Sequence, residues 1–209
     1  MPAEERLQAI RAQVHQCSAC PLSVGRTLAV PGEGPASSRV MFIGEGPGYH
    51  EDQQGQPFVG QAGKFLDELL ACAGLKRAEV FITNVVKCRP PSNRDPEPEE
   101  LKACDQYLNA QIEAINPRVI VTLGRFSMAK FVTNGKISQI HGRPHQVDGR
   151  VVVTMYHPAA ALHQPDLKKT LLEDFGRLKQ FLQQAETPPA PAAPPETHKE
   201  TPPEQLSLF

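Results

Sequence analysis

Four short apolar runs set between amphipathic stretches constrain this chain more than any other feature. Residues 39–43 form an apolar run ending at Gly44, residues 80–86 are rich in β-branched types, residues 118–123 stop at Gly124, and residues 151–155 form a fourth run. Around them, helical spacing puts Leu7, Ile10 and Val14 on one face of residues 4–16, and Phe65, Leu66, Leu69 and Leu70 on one face of residues 62–73. Residues 97–115, 126–131 and 165–184 supply further helical patterns. Strands that alternate with helices predict a parallel sheet covered on both faces. Ligands of such sheets bind at the carboxyl ends of the strands, so the residues just after each run are the ones to read for chemistry.

Those positions are polar or glycine-rich. Gly44-Glu45-Gly46-Pro47-Gly48 follows the first run, with Glu51-Asp52 and Gly55-Gln56-Pro57-Phe58-Val59-Gly60 just beyond. Thr83-Asn84 and then Cys88-Arg89-Pro90-Pro91 lie at and after the end of the second run, and His157-Pro158-Ala159-Ala160 follows the fourth. Spacing argues against a phosphate-cradling loop, because the glycines match neither G-x-x-x-x-G-K-[ST] nor G-x-G-x-x-G.

Composition locates what does not belong to this body. Of 209 residues 40% are apolar, which suits one globular domain, but 21 are proline, about twice the usual share of about 5%. Residues 186–204 hold seven of those prolines and no aliphatic side chain larger than alanine, so they cannot build a core. The expected organisation is a folded domain over residues 1–185, a disordered proline-rich linker over 186–204 and a terminal peptide at 205–209. The net charge of −1 conceals four Glu and one Lys in the linker, which leaves 21 basic and 19 acidic residues in the body. No stretch approaches the roughly 18 apolar residues of a membrane span, and MPAEERLQ lacks the basic-then-apolar order of a signal peptide. A cytoplasmic chain with no membrane partner is therefore expected.

The five cysteines fall as Cys17-x2-Cys20, Cys72, and Cys88-x15-Cys104. In a reducing compartment a close pair plus two later thiols reads as tetrahedral zinc or an iron-sulfur cluster, with unpaired core cysteines as the plainer alternative. Pro21 after Cys20 tilts toward iron-sulfur. Cys72, among Leu69, Leu70 and Leu75, reads as a small buried hydrophobe.

The segments GEGPGYHEDQQGQPFVGQAG, TNVVKCRPPSNRDPEPEE and HPAAAL, in that order with four cysteines, resemble the family 4 uracil-DNA glycosylases of the iron-sulfur type, over residues 17–181. The resemblance implies a three-layer α/β/α sandwich on a four-stranded parallel sheet, a 4Fe-4S cluster, and hydrolysis of the N-glycosidic bond of uracil in single- and double-stranded DNA, the first step of base excision repair. By motif, Cys17, Cys20, Cys88 and Cys104 would hold the cluster and Cys72 would be free. Phe58 would stack on a flipped uracil and Asn84 would read its Watson–Crick edge, with Gly44 and Gly46 lining the substrate pocket. His157 would hydrogen-bond uracil O2 as negative charge develops on the leaving base. Glu45 and Glu51 are the carboxylates that would stabilise the sugar cation or orient water, and Glu51 is also a candidate for excluding a 5-methyl group.

Two positions depart from the family pattern: Gly46 stands where alanine is usual, and HPAAALH replaces HPAALLR, which puts His163 where an arginine phosphate contact is expected. Leu162 is then the candidate wedge into DNA, with His163, Arg89, Arg94, Arg143 and Lys87 as candidate phosphate contacts. Gln205, Leu206, Leu208 and Phe209 resemble the peptide by which bacterial repair proteins dock on the sliding clamp, and a tether would raise the local concentration at DNA. A monomer associated with the bacterial nucleoid is the expectation. The alternatives are an iron-sulfur protein that binds uracil or damaged DNA without turnover, and a zinc-stabilised hydrolase of small nucleotides. Covalent trapping is disfavoured because CRPPSN carries no basic insertion.

Overall fold

A computed structural model describes residues 1–162 and 164–186; the expected linker beyond residue 186, the terminal peptide at 205–209, and His163 lie outside the described residues. In chain order the helices are α1 (Ala3–Gln16), α2 (Leu22–Gly25), α3 (Tyr49–Gln54), α4 (Gln61–Cys72), α5 (Pro98–Ile115), α6 (Arg125–Ala129), α7 (Ile137–Ile140), α8 (Pro158–Ala161) and α9 (Pro165–Glu186). The strands are β1 (Val40–Gly44), β2 (Phe81–Asn84), β3 (Val119–Leu123), β4 (Pro144–Val147) and β5 (Arg150–Met155).

The sheet runs in the order β2-β1-β3-β5-β4, with β2, β1, β3 and β5 parallel and β4 antiparallel to β5. The expected four parallel strands are present, and the sheet is corrected to five by one mixed edge. β4 is short and half-exposed, so its residues Pro144, His145, Gln146 and Val147 carry no apolar run to announce it. The turn does announce it: Asp148 and Gly149 have φ of 48° and 74°, the two consecutive left-handed residues of a tight hairpin, for which Asp-Gly is a favoured pair. Proline opens the strand, at the sheet edge where a missing N–H is tolerated.

Every residue of β1 and β3 is buried, as expected of strands covered on both sides. Alternation sends Phe42, Val121 and Val153 into a core shared with α4 and α9, and Met41, Ile43, Ile120 and Val152 into a second core with α1 and α5. The three-layer sandwich follows from that alternation. Cys72 is exposed, not buried as the sequence suggested. It is the last residue of α4, at the margin of the stripe made by Leu66, Leu69, Leu70 and Ala73, and it misses the core. Among the described residues no helix is long and apolar enough to cross a membrane.

Candidate active site

β1 and β2 end at Gly44 and Asn84, and two residues past β5 comes His157; between them opens a cleft of about 370 Å³, within the size range of small-molecule sites. The sequence-derived candidates Glu45, Gly46, Glu51, Phe58, Asn84 and His157 all line it. Gly44 lies beneath them. A Cβ there would sit 2.4 Å from Asn84 Oδ1 and 2.7 Å from the Phe58 ring, so glycine is what lets both side chains cross the end of β1.

Phe58 is buried, and its backbone takes the left-handed conformation at φ 53°, a strain worth about 1–3 kcal/mol for a non-glycine residue. That conformation is enforced locally. Its carbonyl packs against Gly63, where any Cβ would approach to 1.8 Å, and Arg77 donates to the Pro57 carbonyl at 2.5 Å. The Phe58 ring lies 5.6 Å from the His157 ring, inclined by 26°.

Asn84 is 1% exposed, and its Oδ1 is buried with no hydrogen-bond partner among the described residues. A buried acceptor left unpaired costs about 1–3 kcal/mol. His157 is placed by its own helix: it caps α8, and Nδ1 accepts a hydrogen bond from the Ala159 N–H at 3.1 Å. A backbone N–H can only donate, so in the neutral ring the proton sits on Nε2. Burial pushes the His157 pKa down to about 4, against an opposing pull from Glu51, so the ring is neutral at physiological pH.

The two carboxylates differ. Glu51 Oε1 accepts from the N–H groups of Val59 and Gly60, both at 2.9 Å, and Oε2 accepts from Gly48 N–H at 3.1 Å. It ties the glycine loop after β1 to the segment carrying Phe58. The neighbouring Asp52 is buried and accepts from Thr27 N–H at 2.9 Å, pinning another loop. Burial and the nearby Asp95 raise the Glu45 pKa, while Arg125, ion-paired to Asp95, lowers it.

The candidate phosphate contacts divide. Arg89 donates to Asn93 Oδ1 at 2.8 Å and lies 5.2 Å over the ring of exposed Tyr49. Arg94 forks onto Glu100 at 2.9 and 2.7 Å and holds that carboxyl below its usual range, so it orders the approach to α5. Arg143 is exposed, and Leu162 is 45% exposed just after α8. Lys87 does not face solvent: it is 1% exposed, with Nζ donating to Thr83 Oγ1, Asn84 O and Gln111 Oε1. A lysine that follows a strand by three residues folds back over the strand end, and the sequence pattern does not distinguish that from an exposed loop cation. Asn93 joins the cleft unannounced, although the Ser92-Asn93 pair, both at positive φ, is a turn signal; Pro90, from the strand-end segment already singled out, lines it too.

Cys17, Cys20, Cys88 and Cys104 border one small pocket with Val14 and Tyr107. Three donors end on its sulfurs: Ala19 N–H on Cys17 at 3.5 Å, Lys87 N–H on Cys104 at 3.2 Å, and Arg26 Nη1 on Cys88 at 3.0 Å. Burial pushes the free Cys104 thiol up to about 11 and raises Cys88 as well, so thiolates here need a positive partner. Among the described residues no three His, Cys, Asp or Glu side chains are spaced to share a single ion.

Residues 31–177 match the model of the uracil DNA glycosylase superfamily. The chain is 46% identical over 184 residues to a type-4 uracil-DNA glycosylase of Thermotoga maritima, covering 86% of this chain and 96% of that one. It is also 46% identical over 184 residues to the type-4 uracil-DNA glycosylase of Archaeoglobus fulgidus, covering 83% and 92%. Similarity to a type-5 uracil-DNA glycosylase of Thermus thermophilus is lower, 32% over 149 residues, covering 61% and 68%.

Proposed function

The chain belongs to the uracil DNA glycosylase superfamily and, within it, to the type-4 uracil-DNA glycosylases, and from that premise we propose how its own residues carry out the reaction. The protein is a hydrolase that removes uracil from DNA in base excision repair. A base stacked in a duplex is out of reach, so the nucleotide is extruded into the cleft. There the Phe58 ring takes one face of the uracil. Asn84 Oδ1 accepts the uracil N3–H and the amide NH2 donates to O4; cytosine offers a bare N3 and an amino group, so the same side chain meets acceptor with acceptor and donor with donor.

As the C1′–N1 bond breaks, the electron pair stays with uracil and negative charge grows on O2. His157 Nε2–H donates to it, and the ring does so while neutral, because its Nδ1 stays an acceptor for the Ala159 N–H. Glu45 faces the cationic sugar and holds the water that adds to C1′, accepting its proton as the new C–O bond forms. Glu51 drops out of that role, because its carboxylate is spent on three backbone N–H groups; it acts by holding the glycine loop and the Phe58 segment together. The observation that carries the whole reading is the buried Asn84 Oδ1, without a partner among the described residues, in one cleft with a histidine whose tautomer the backbone sets. His157→Ala should lower single-turnover excision from uracil-containing oligonucleotides about 10²- to 10³-fold; a near-normal rate would refute the assignment.

Type-4 glycosylases typically carry a 4Fe-4S cluster. The four cysteines around one pocket fit it, since a cluster spreads its ligands over four irons and favours N–H donors to its sulfurs. Cys17, Cys20, Cys88 and Cys104 would hold it. When bound it supplies a covalent staple between the end of α1, the loop after β2 and α5. The terminal peptide, with Gln205, Leu206, Leu208 and Phe209, would dock on the sliding clamp, and Leu162 would enter the space vacated by the flipped base.

A further inference from the structure

We propose that Lys87 is a positioning residue for uracil recognition, its ammonium anchoring the backbone of Asn84 so that the side-chain amide is held in reading register. The inference rests on Asn84 being the residue that reads uracil. β2 is an edge strand, hydrogen-bonded to β1 on one side only. On the open side, Ile82 exchanges both of its backbone bonds with Glu33, at 2.9 and 2.8 Å. Asn84 has the same parity as Ile82, so its carbonyl points to that open side, where no strand continues. Lys87 Nζ fills the position at 2.8 Å.

The anchor is itself fixed. Nζ also donates to Thr83 Oγ1 at 2.6 Å and Gln111 Oε1 at 2.8 Å, and Gln111 Nε2 donates to the Pro31 carbonyl at 2.6 Å. Thr83 and Gln111 are buried with it. All three acceptors of the ammonium are neutral oxygens. Burying a cation among neutral oxygens is costly, and the three hydrogen bonds that Nζ donates offset that cost. What the ammonium adds is direction: three fixed bonds tie the strand end carrying Asn84 to α5. On the far side, the Lys87 N–H donates to Cys104 Sγ, so one residue touches both the cysteine pocket and the recognition strand. Asn84 Oδ1 accepts no hydrogen bond from the described residues, so its position depends on its backbone being held.

The test uses the iron-loaded enzyme, with rates expressed per iron-containing molecule, and compares wild type, Lys87→Met, Asn84→Ala and the double variant. The readouts are single-turnover excision, inhibition by free uracil, and affinity for abasic-site DNA. Lys87→Met should lower excision about 10- to 100-fold, as a small misplacement near a reacting group does, and weaken inhibition by free uracil by a similar factor. Abasic-site DNA affinity should stay unchanged. In the Asn84→Ala background, Lys87→Met should have no further effect on excision or on uracil inhibition. Thr83→Val, which keeps the lysine but removes one acceptor, should shift both readouts the same way by a smaller factor, and decides the matter if Lys87→Met fails to fold. Uracil inhibition unchanged in both Lys87→Met and Thr83→Val, or equal Lys87→Met effects with and without Asn84, would overturn the proposal while leaving Asn84 in its role. If Asn84→Ala itself leaves uracil inhibition unchanged, the reading of Asn84 fails and the proposal with it.

Discussion

In the cleft, Asn84 Oδ1 is buried without a partner among the described residues, and His157 has one ring nitrogen tied to a backbone N–H. In the cysteine pocket, a few residues further along the same loop, Ala19 N–H, Lys87 N–H and Arg26 Nη1 all end on sulfur. The first arrangement leaves polar capacity open, as the proposed uracil site requires. The second aims its donors at groups that stay. The same contrast separates the two acids: Glu51 has both oxygens occupied by backbone N–H groups, whereas Glu45 lies in the cleft with its pKa raised by burial and by Asp95.

Substitutions in the two regions should therefore fail differently. The largest effect on folding is expected in the cysteine pocket. Cys104→Ser should remove the visible absorption of the proposed cluster and lower the melting temperature by about 10 °C or more, as expected for several kcal/mol in a domain of this size. Iron analysis and thermal denaturation measure this, and unchanged iron content would break the comparison.

The next effect is a pH dependence originating in the cleft. His157 is held at about 4, against about 6.5 when unfolded, so the unfolded chain binds the extra proton. The contribution to stability is complete above about pH 6.5 and is lost as pH falls toward 4, up to about 3 kcal/mol in all. Denaturant midpoints between pH 7 and 4 should fall more steeply for wild type than for His157→Gln; parallel curves would show that the ring is not buried neutral.

The acid pair sharpens the contrast further. Glu51→Gln should cost about 2 kcal/mol of stability, because a charged acceptor of backbone N–H groups becomes neutral. Glu45→Gln should leave stability at neutral pH equal or higher, since a carboxyl whose pKa burial has raised is unfavourable when ionised, yet slow excision about 10- to 100-fold. Measuring both variants for unfolding and for single-turnover rate separates them, and an equal loss of stability would erase the distinction. The smallest effect on chemistry is expected outside both regions: removing residues 205–209 should leave excision from short oligonucleotides unchanged and abolish binding to the sliding clamp.

Much of this was legible along the chain. The apolar runs announced β1, β2, β3 and β5 because strands covered on both faces must be apolar throughout. Glycine, asparagine and histidine at the strand ends announced the cleft. β4 was hidden because a half-exposed edge strand has no apolar run, although Asp148-Gly149 carried its turn. Cys72 was misread because periodicity assigns a stripe but not its margin.

The sequence by itself determined the order of the layers, the cleft's candidate residues and the spacing of the cysteines, since all of these depend on residue type and local period. Tertiary structure alone decided what each polar atom does. Lys87 looks like a loop cation until the open edge of β2 turns it inward, and nothing in the spacing of Glu51 shows that its oxygen accepts from the N–H groups of Val59 and Gly60, eight and nine residues away. Hydrogen-bond partners are set by which segments are brought within 3 Å of one another, and that distance is a property of the packed chain, not of its spelling.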